Sequence, residues 1–301
     1  MSDYSYLKDK KRATDYLSKC LGDGTLVLFL GAGTSRGFGL PGWVSLINAI
    51  RADPAINLPP VPDTANADDL QLAADVVKDK IGHAALMDLV GKVLYKDILK
   101  LKISYLFEQP LLVAIASLLM GSKRGHVTRV VTLNYDSMLE WFLSIFGFVV
   151  RTVSELPCVE GSEDVRIYHI HGYIPHPESG YSNSKEDSFI LGMEAIDKRL
   201  GNPGELWFEL TRHLLYTGDC LFIGMSPKSL TDRALGPLLV NSSDKLKNDR
   251  LTGIWLSLDN LEPAKEAEFA RKNLIPLKMN SKEEIVEFLF EISQKAMKSL
   301  K

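Results

Sequence analysis

Four short strings in this chain set polar side chains where chemistry could be done. Gly31-Ala32-Gly33-Thr34-Ser35 follows an apolar run and carries little side-chain bulk. Its backbone could approach a phosphate group closely and turn amide N–H groups toward it, with the Ser35 hydroxyl as a further donor. A tight corner after a strand would use the same glycines, so the loop alone leaves both readings open. VVTLNYDSMLEWF puts Thr132, Asn134 and Asp136 between a β-prone run and a helical one. There they could face a ligand, or Asp136 could cap the helix and Asn134 could close the turn. VRIYHIHGYIP alternates in strand fashion, which places His169 and His171 on one face, and Gly172 ends the run with His171 exposed. An exposed imidazole with an ordinary pKa is a ready general base. CLFIGMSPKSLTDR sets Gly224 and Ser226 after another apolar run, with Asp232 read as a helix-surface charge.

Each string sits at the end of a strand, and those strands must be brought together for the residues to meet. Thr25 to Leu30 is a continuous apolar run, as in a strand buried on both faces. Similar runs recur at Thr128 to Leu133, Val165 to Ile170, Cys220 to Ile223 and Thr252 to Leu256, with helical or irregular segments between them. The alternation predicts an α/β fold, a Rossmann-like doubly wound parallel sheet whose ligand lies at the carboxyl ends of the strands. Residues 44–125 read as a mainly helical insertion, broken by the proline-rich Leu58 to Pro62, within one domain spanning residues 1–301. Tyr4 to Cys20 predicts an amphipathic helix before the first strand, and the segment after Lys278 a closing one.

Composition excludes several classes. Apolar residues make up 46% and charged residues 24%, a profile that folds. The formal charge is −3, so no whole-molecule positive field would hold nucleic acid or an anionic membrane. The N-terminus lacks the apolar core of a signal peptide and the apolar runs are too short to span a bilayer, which predicts a cytoplasmic protein. Cys20, Cys158 and Cys220 lie far apart with no CxxC pair, so neither a zinc module nor any other metal site is expected.

Taken together and in order, the strings resemble the sirtuins. GAGTSRGFGLPGW is similar to the sirtuin GAG-x-S loop and its continuation, with Gly42 and Val44 standing where that family carries Asp and Arg. T-L-N-Y-D resembles the T-Q-N-x-D signature with Leu133 in place of Gln, His171-Gly172 resembles the catalytic His-Gly, and Gly224-Met225-Ser226 the G-T-S stretch. The resemblance implies NAD as substrate, bound by Gly31, Ala32, Gly33, Ser35, Thr132, Gly224 and Ser226. It implies that Asp136 anchors the nicotinamide carboxamide, that Asn134 positions water or a ribose hydroxyl, and that His171 is the general base. The lost charges and the lack of paired cysteines are similar to the defence-associated NAD hydrolases of bacteria. That branch implies cleavage of NAD to nicotinamide and ADP-ribose, or its cyclic form, as an antiviral effector that depletes NAD. Low basal activity, a homo-oligomer, and activation by a separate ATPase or sensor protein would follow. Protein deacylation or ADP-ribosyl transfer, and a non-catalytic sensor of NAD or ADP-ribose, are the alternative functions.

Overall fold

The computed structural model describes residues 4–121, 125–159, 161–233, 235–246 and 250–298. A 3-10 turn over Tyr4–Lys8 leads into α1 (Lys10–Gly22), whose N-terminus is capped by the Asp9 carboxylate accepting from Arg12 N at 2.9 Å. The helix buries Ala13, Leu17 and Leu21 and leaves its lysines outside, as its spacing predicts. Then come β1 (Leu26–Leu30), α2 (Trp43–Arg51), α3 (Ala67–Ile81), α4 (His83–Tyr95), α5 (Ile103–Phe107) and α6 (Pro110–Leu119). The second half runs β2 (Arg129–Thr132), α7 (Met138–Ile145), β3 (Val150–Val153), β4 (Val165–His169), α8 (Met193–Leu200), α9 (Leu206–Thr217), β5 (Asp219–Ile223) and α10 (Pro227–Thr231). It closes with α11 (Gly236–Leu246), β6 (Gly253–Ser257), α12 (Pro263–Arg271), β7 (Leu274–Lys278) and α13 (Lys282–Lys298).

Among the described residues the strands form one seven-stranded sheet in the order β3-β4-β2-β1-β5-β6-β7, with every pairing parallel. β1 is central because all five of its side chains are buried, and parallel strands covered on both faces need no polar alternation. One face of β1 (Leu26, Leu28, Leu30) joins α1, α6 and α13 in one core, while Val27 and Phe29 join α9 and α11 in another. Phe29 stacks on Phe222 of the neighbouring β5 with ring centroids 4.8 Å apart. This is the doubly wound α/β architecture expected. Two edge strands, β3 and β7, join the five predicted ones.

Residues 43–119 are helical with loops between, and residues 122–124, at the end of the predicted insertion, lie outside the described residues. α6 packs against α13 and belongs to the sheet's covering layer, whereas α2, α3 and α4 pack on one another, and α3 also on α8. Among the described residues no helix is long and apolar enough to cross a membrane.

Candidate active site

The strand order places β2 and β5 on opposite sides of β1, so the chain leaves the sheet in opposite directions around its centre. Loops 31–35, 133–137 and 224–226 therefore gather at the carboxyl edge, the position at which open α/β sheets hold ligands.

The glycine loop and the β5 loop lie in direct backbone contact. Gly31 N donates to Ile223 O at 3.0 Å and Gly33 N to Gly224 O at 2.8 Å. A Cβ on Gly33 would meet Gly224 Cα at 2.7 Å, and one on Gly31 would meet Gly224 O at 2.7 Å. These glycines are required by packing between the loops. Thr34 N and Ser35 N donate to Gly31 O and Ala32 O, so four of the loop's amides are engaged by carbonyls. Of the residues assigned to binding, Gly31, Ala32 and Ser35 line the cleft below, and Gly33, Thr132, Gly224 and Ser226 stand behind or beside it. Thr132 Oγ1 accepts the Asn134 amide at 3.0 Å, and the exposed Ser226 accepts Ser229 N as the N-cap of α10.

Asn134, Ser35 and Asp136 form one hydrogen-bonded line. Asn134 Nδ2 donates toward Ser35 Oγ at 3.2 Å, Thr34 Oγ1 at 3.1 Å and Gly31 O at 3.3 Å. Ser35 Oγ donates to Asp136 Oδ2 at 2.7 Å. The other carboxylate oxygen of Asp136 accepts the N–H of Met138, the first residue of α7, at 3.2 Å, while the N-cap position itself is Ser137, so Asp136 ties down the helix start from one residue further out alongside its place in the cleft. Burial pushes the Asp136 carboxyl up from its ordinary pKa, against the pull of Ser35 and Met138 N.

The predicted setting of the histidines needs correction. β4 ends at His169, so the alternation rule does not reach His171, and the two rings enter different cavities. His171 is not the exposed base of ordinary pKa that the His-Gly turn suggests. Its Nε2 is buried without a hydrogen-bond partner. Burial first, then the Arg199 guanidinium, pushes its pKa down to about 4. The ring is therefore neutral at physiological pH, with an unpartnered nitrogen that can accept a proton. His169 is buried between Asn134 O at 2.9 Å and the Glu140 carboxylate at 2.5 Å.

Asn134, Asp136, His171 and Ser35 open on a cleft of about 100 Å³ walled by apolar residues such as Leu40, Trp43 and Leu191. Trp43 and Leu46 of α2, with Leu94 of α4, bring the helical segment over the site. Asp232, expected as a surface charge, is instead 6% exposed and lines this cleft, with its Oδ1 accepting Leu235 N at 2.9 Å. No Lys or Arg is among the described residues lining it. Among the described residues no group of three or more His, Cys, Asp or Glu is placed to share a metal ion, and the three cysteines are free.

A family model described as SIR2-like domain matches residues 128–277, a stretch running from β2 to β7 that holds Asn134, Asp136, His171 and Asp232. No curated protein matches the chain.

Proposed function

Because the chain belongs to the sirtuin-like family, whose domains bind NAD, we propose that it is an NAD hydrolase that releases nicotinamide and leaves ADP-ribose. The observation that carries this reading is the Asn134–Ser35–Asp136 line at the floor of a cleft into which His171 also opens. The residues fit the substrate. Nicotinamide is a cationic ring in NAD, and a cleft with apolar walls, two carboxylates and no lining Lys or Arg suits that end of the molecule. A raised pKa at Asp136 fits a group that hydrogen-bonds a carboxamide.

Hydrolysis breaks the bond between ribose C1′ and the nicotinamide nitrogen, and the electron pair leaves with nicotinamide. Water bonds to C1′ as oxocarbenium character develops there, and its proton passes to a base. Asp136 orients the leaving group and Asn134 holds the water or a ribose hydroxyl. His171, held neutral by desolvation of its ring, takes the proton. Attack by a hydroxyl of the ADP-ribosyl group in place of water gives the cyclic product from the same residues. We place this activity in bacterial antiviral defence, in the cytoplasm, as a homo-oligomer of low basal activity that a separate ATPase or sensor protein releases. An enzyme that consumes NAD without restraint would kill its host.

The test is nicotinamide release from NAD across a protein concentration series, with Asn134→Ala and His171→Ala beside the wild type. Loss of a general base should lower the rate by about 10²-fold or more. Wild-type release unchanged in both variants would overturn the assignment. Silence of the wild type with NAD still bound by calorimetry would favour a sensor or a missing activator.

A further inference from the structure

Directly behind the cleft lies a second buried pair that the reaction scheme above does not use. Glu140 on α7 and His169 at the end of β4 are each 1% exposed and meet through Oε1 and Nε2 at 2.5 Å. His169 Nδ1 lies 2.9 Å from the backbone carbonyl of Asn134. The Tyr173 ring packs edge-on against the imidazole at 4.6 Å, and Tyr181 Oη donates to the Glu140 backbone carbonyl at 3.3 Å.

These contacts fix where the hydrogens must be. A carbonyl oxygen only accepts, so Nδ1 carries a hydrogen and donates it to Asn134 O. The Nε2 to Oε1 contact then needs one proton, on whichever of the two atoms holds it. Both arrangements leave the pair without net charge, which makes its burial tolerable, and withdrawing one partner would strand the other. The pair also lines a small void of about 20 Å³ whose walls include Ser35, Asn134 and Asp136.

We propose that Glu140 and His169 are positioning residues. Glu140 holds the imidazole in the orientation that pins the Asn134 carbonyl, and this sets where the Asn134 amide and the Asp136 carboxylate stand in the cleft. The proposal rests on the NAD hydrolase reading for its consequence in catalysis, though not for its geometry. A Gln at position 140 would keep the bond, because its amide can donate to a neutral Nε2 while Nδ1 keeps its hydrogen. An Ala would not.

The experiment compares Glu140→Ala and Glu140→Gln in two readouts. In the nicotinamide-release assay, a shift of the Asn134 loop by about 1 Å should cost E140A about 10²-fold in kcat with KM little changed, and E140Q should recover most of it. In heteronuclear NMR, the Asn134 side-chain amide signals, assigned with Asn134→Ala, should move in E140A and stay near their wild-type positions in E140Q. If wild type and N134A release nicotinamide alike, the hydrolase reading fails and the NMR comparison alone decides the pair. Unmoved Asn134 signals in a folded E140A, or equal loss in E140A and E140Q, overturn the positioning role. If E140A does not fold, Glu140→Asp, which withdraws the carboxylate by one methylene, takes its place, with moved or unmoved Asn134 signals deciding in the same way.

Discussion

Replacing Gly224 by Ala should separate the two loops that form the site. Gly224 has a φ of +69°, a region that costs an L residue about 1 kcal/mol. Its new Cβ would also lie 2.6 Å from Thr34 N and 3.0 Å from the Gly33 carbonyl carbon, both backbone atoms that cannot swing aside. Relief requires the 31–35 loop to retreat by roughly 0.8 Å, and overpacking of this kind costs about 1–3 kcal/mol. Gly147 supplies the matched control, because its φ is +77° and nothing stands within 4 Å of an added Cβ. Gly147→Ala should therefore lose about 1 kcal/mol, and Gly224→Ala about 2–4 kcal/mol. At about 2–4 °C per kcal/mol for a chain of this order of size, differential scanning calorimetry should separate the two melting temperatures by several degrees. The displacement would reach the chemistry, since Thr34 Oγ1 and Ser35 Oγ both hold the Asn134 amide. Nicotinamide release should fall about 10²-fold in Gly224→Ala and stay at wild-type level in Gly147→Ala. Equal melting temperatures and equal activities in the two variants would refute the claim that backbone contact between these loops builds the site.

Two further outcomes follow from burial. His171 is held down to about 4, whereas an unfolded chain titrates near 6.5. It is neutral in both states at pH 7. As pH falls through about 6.5 the unfolded chain gains a proton that the fold refuses, so stability drops until about pH 4, by at most about 3 kcal/mol. Asp136, with its raised pKa, works in the opposite sense and is common to wild type and variant. His171→Asn should flatten the loss of urea midpoint over that window, and parallel curves would count against the buried neutral ring. Cys20 is pushed up to about 12 by burial and Cys220 higher still, so both thiols are protonated and enclosed. Mass spectrometry after brief native alkylation should find label on the half-buried Cys158 alone, and rapid labelling of Cys220 would show that β5 is open in solution.

What the sequence made legible is what lies contiguous in it. The apolar run of β1 and the polar strings after β1, β2, β4 and β5 each carry strand and loop in one stretch, so fold class and the meeting of Asn134, Asp136 and His171 could be read together. The edge strands carry weak signals in the sequence: β3 has four residues of which one is buried, and β7 carries Pro276, which an edge position tolerates. The errors at the site have a common physical origin. Sequence spacing points Asp232 and His171 toward solvent because local pattern reports a residue's direction along its own element and nothing about what another element lays over it.

Gly33 and Gly224 show the same limit from the other side. Their motif says that a Cβ is not tolerated, but a bound phosphate and a neighbouring backbone forbid it equally, and here the neighbour is backbone. The Glu140–His169 pair joins residues 29 positions apart through a helix and a strand, and although each lies inside one of the polar strings, nothing in those strings couples the two. Such a pair is invisible until the parallel register of β2 and β4 sets Thr132 beside His169 and so brings the imidazole under the Asn134 carbonyl. Motifs in this chain thus mark some of the residues that line the cleft, while the Glu140–His169 pair behind them comes together through strand register, which short-range spacing does not encode.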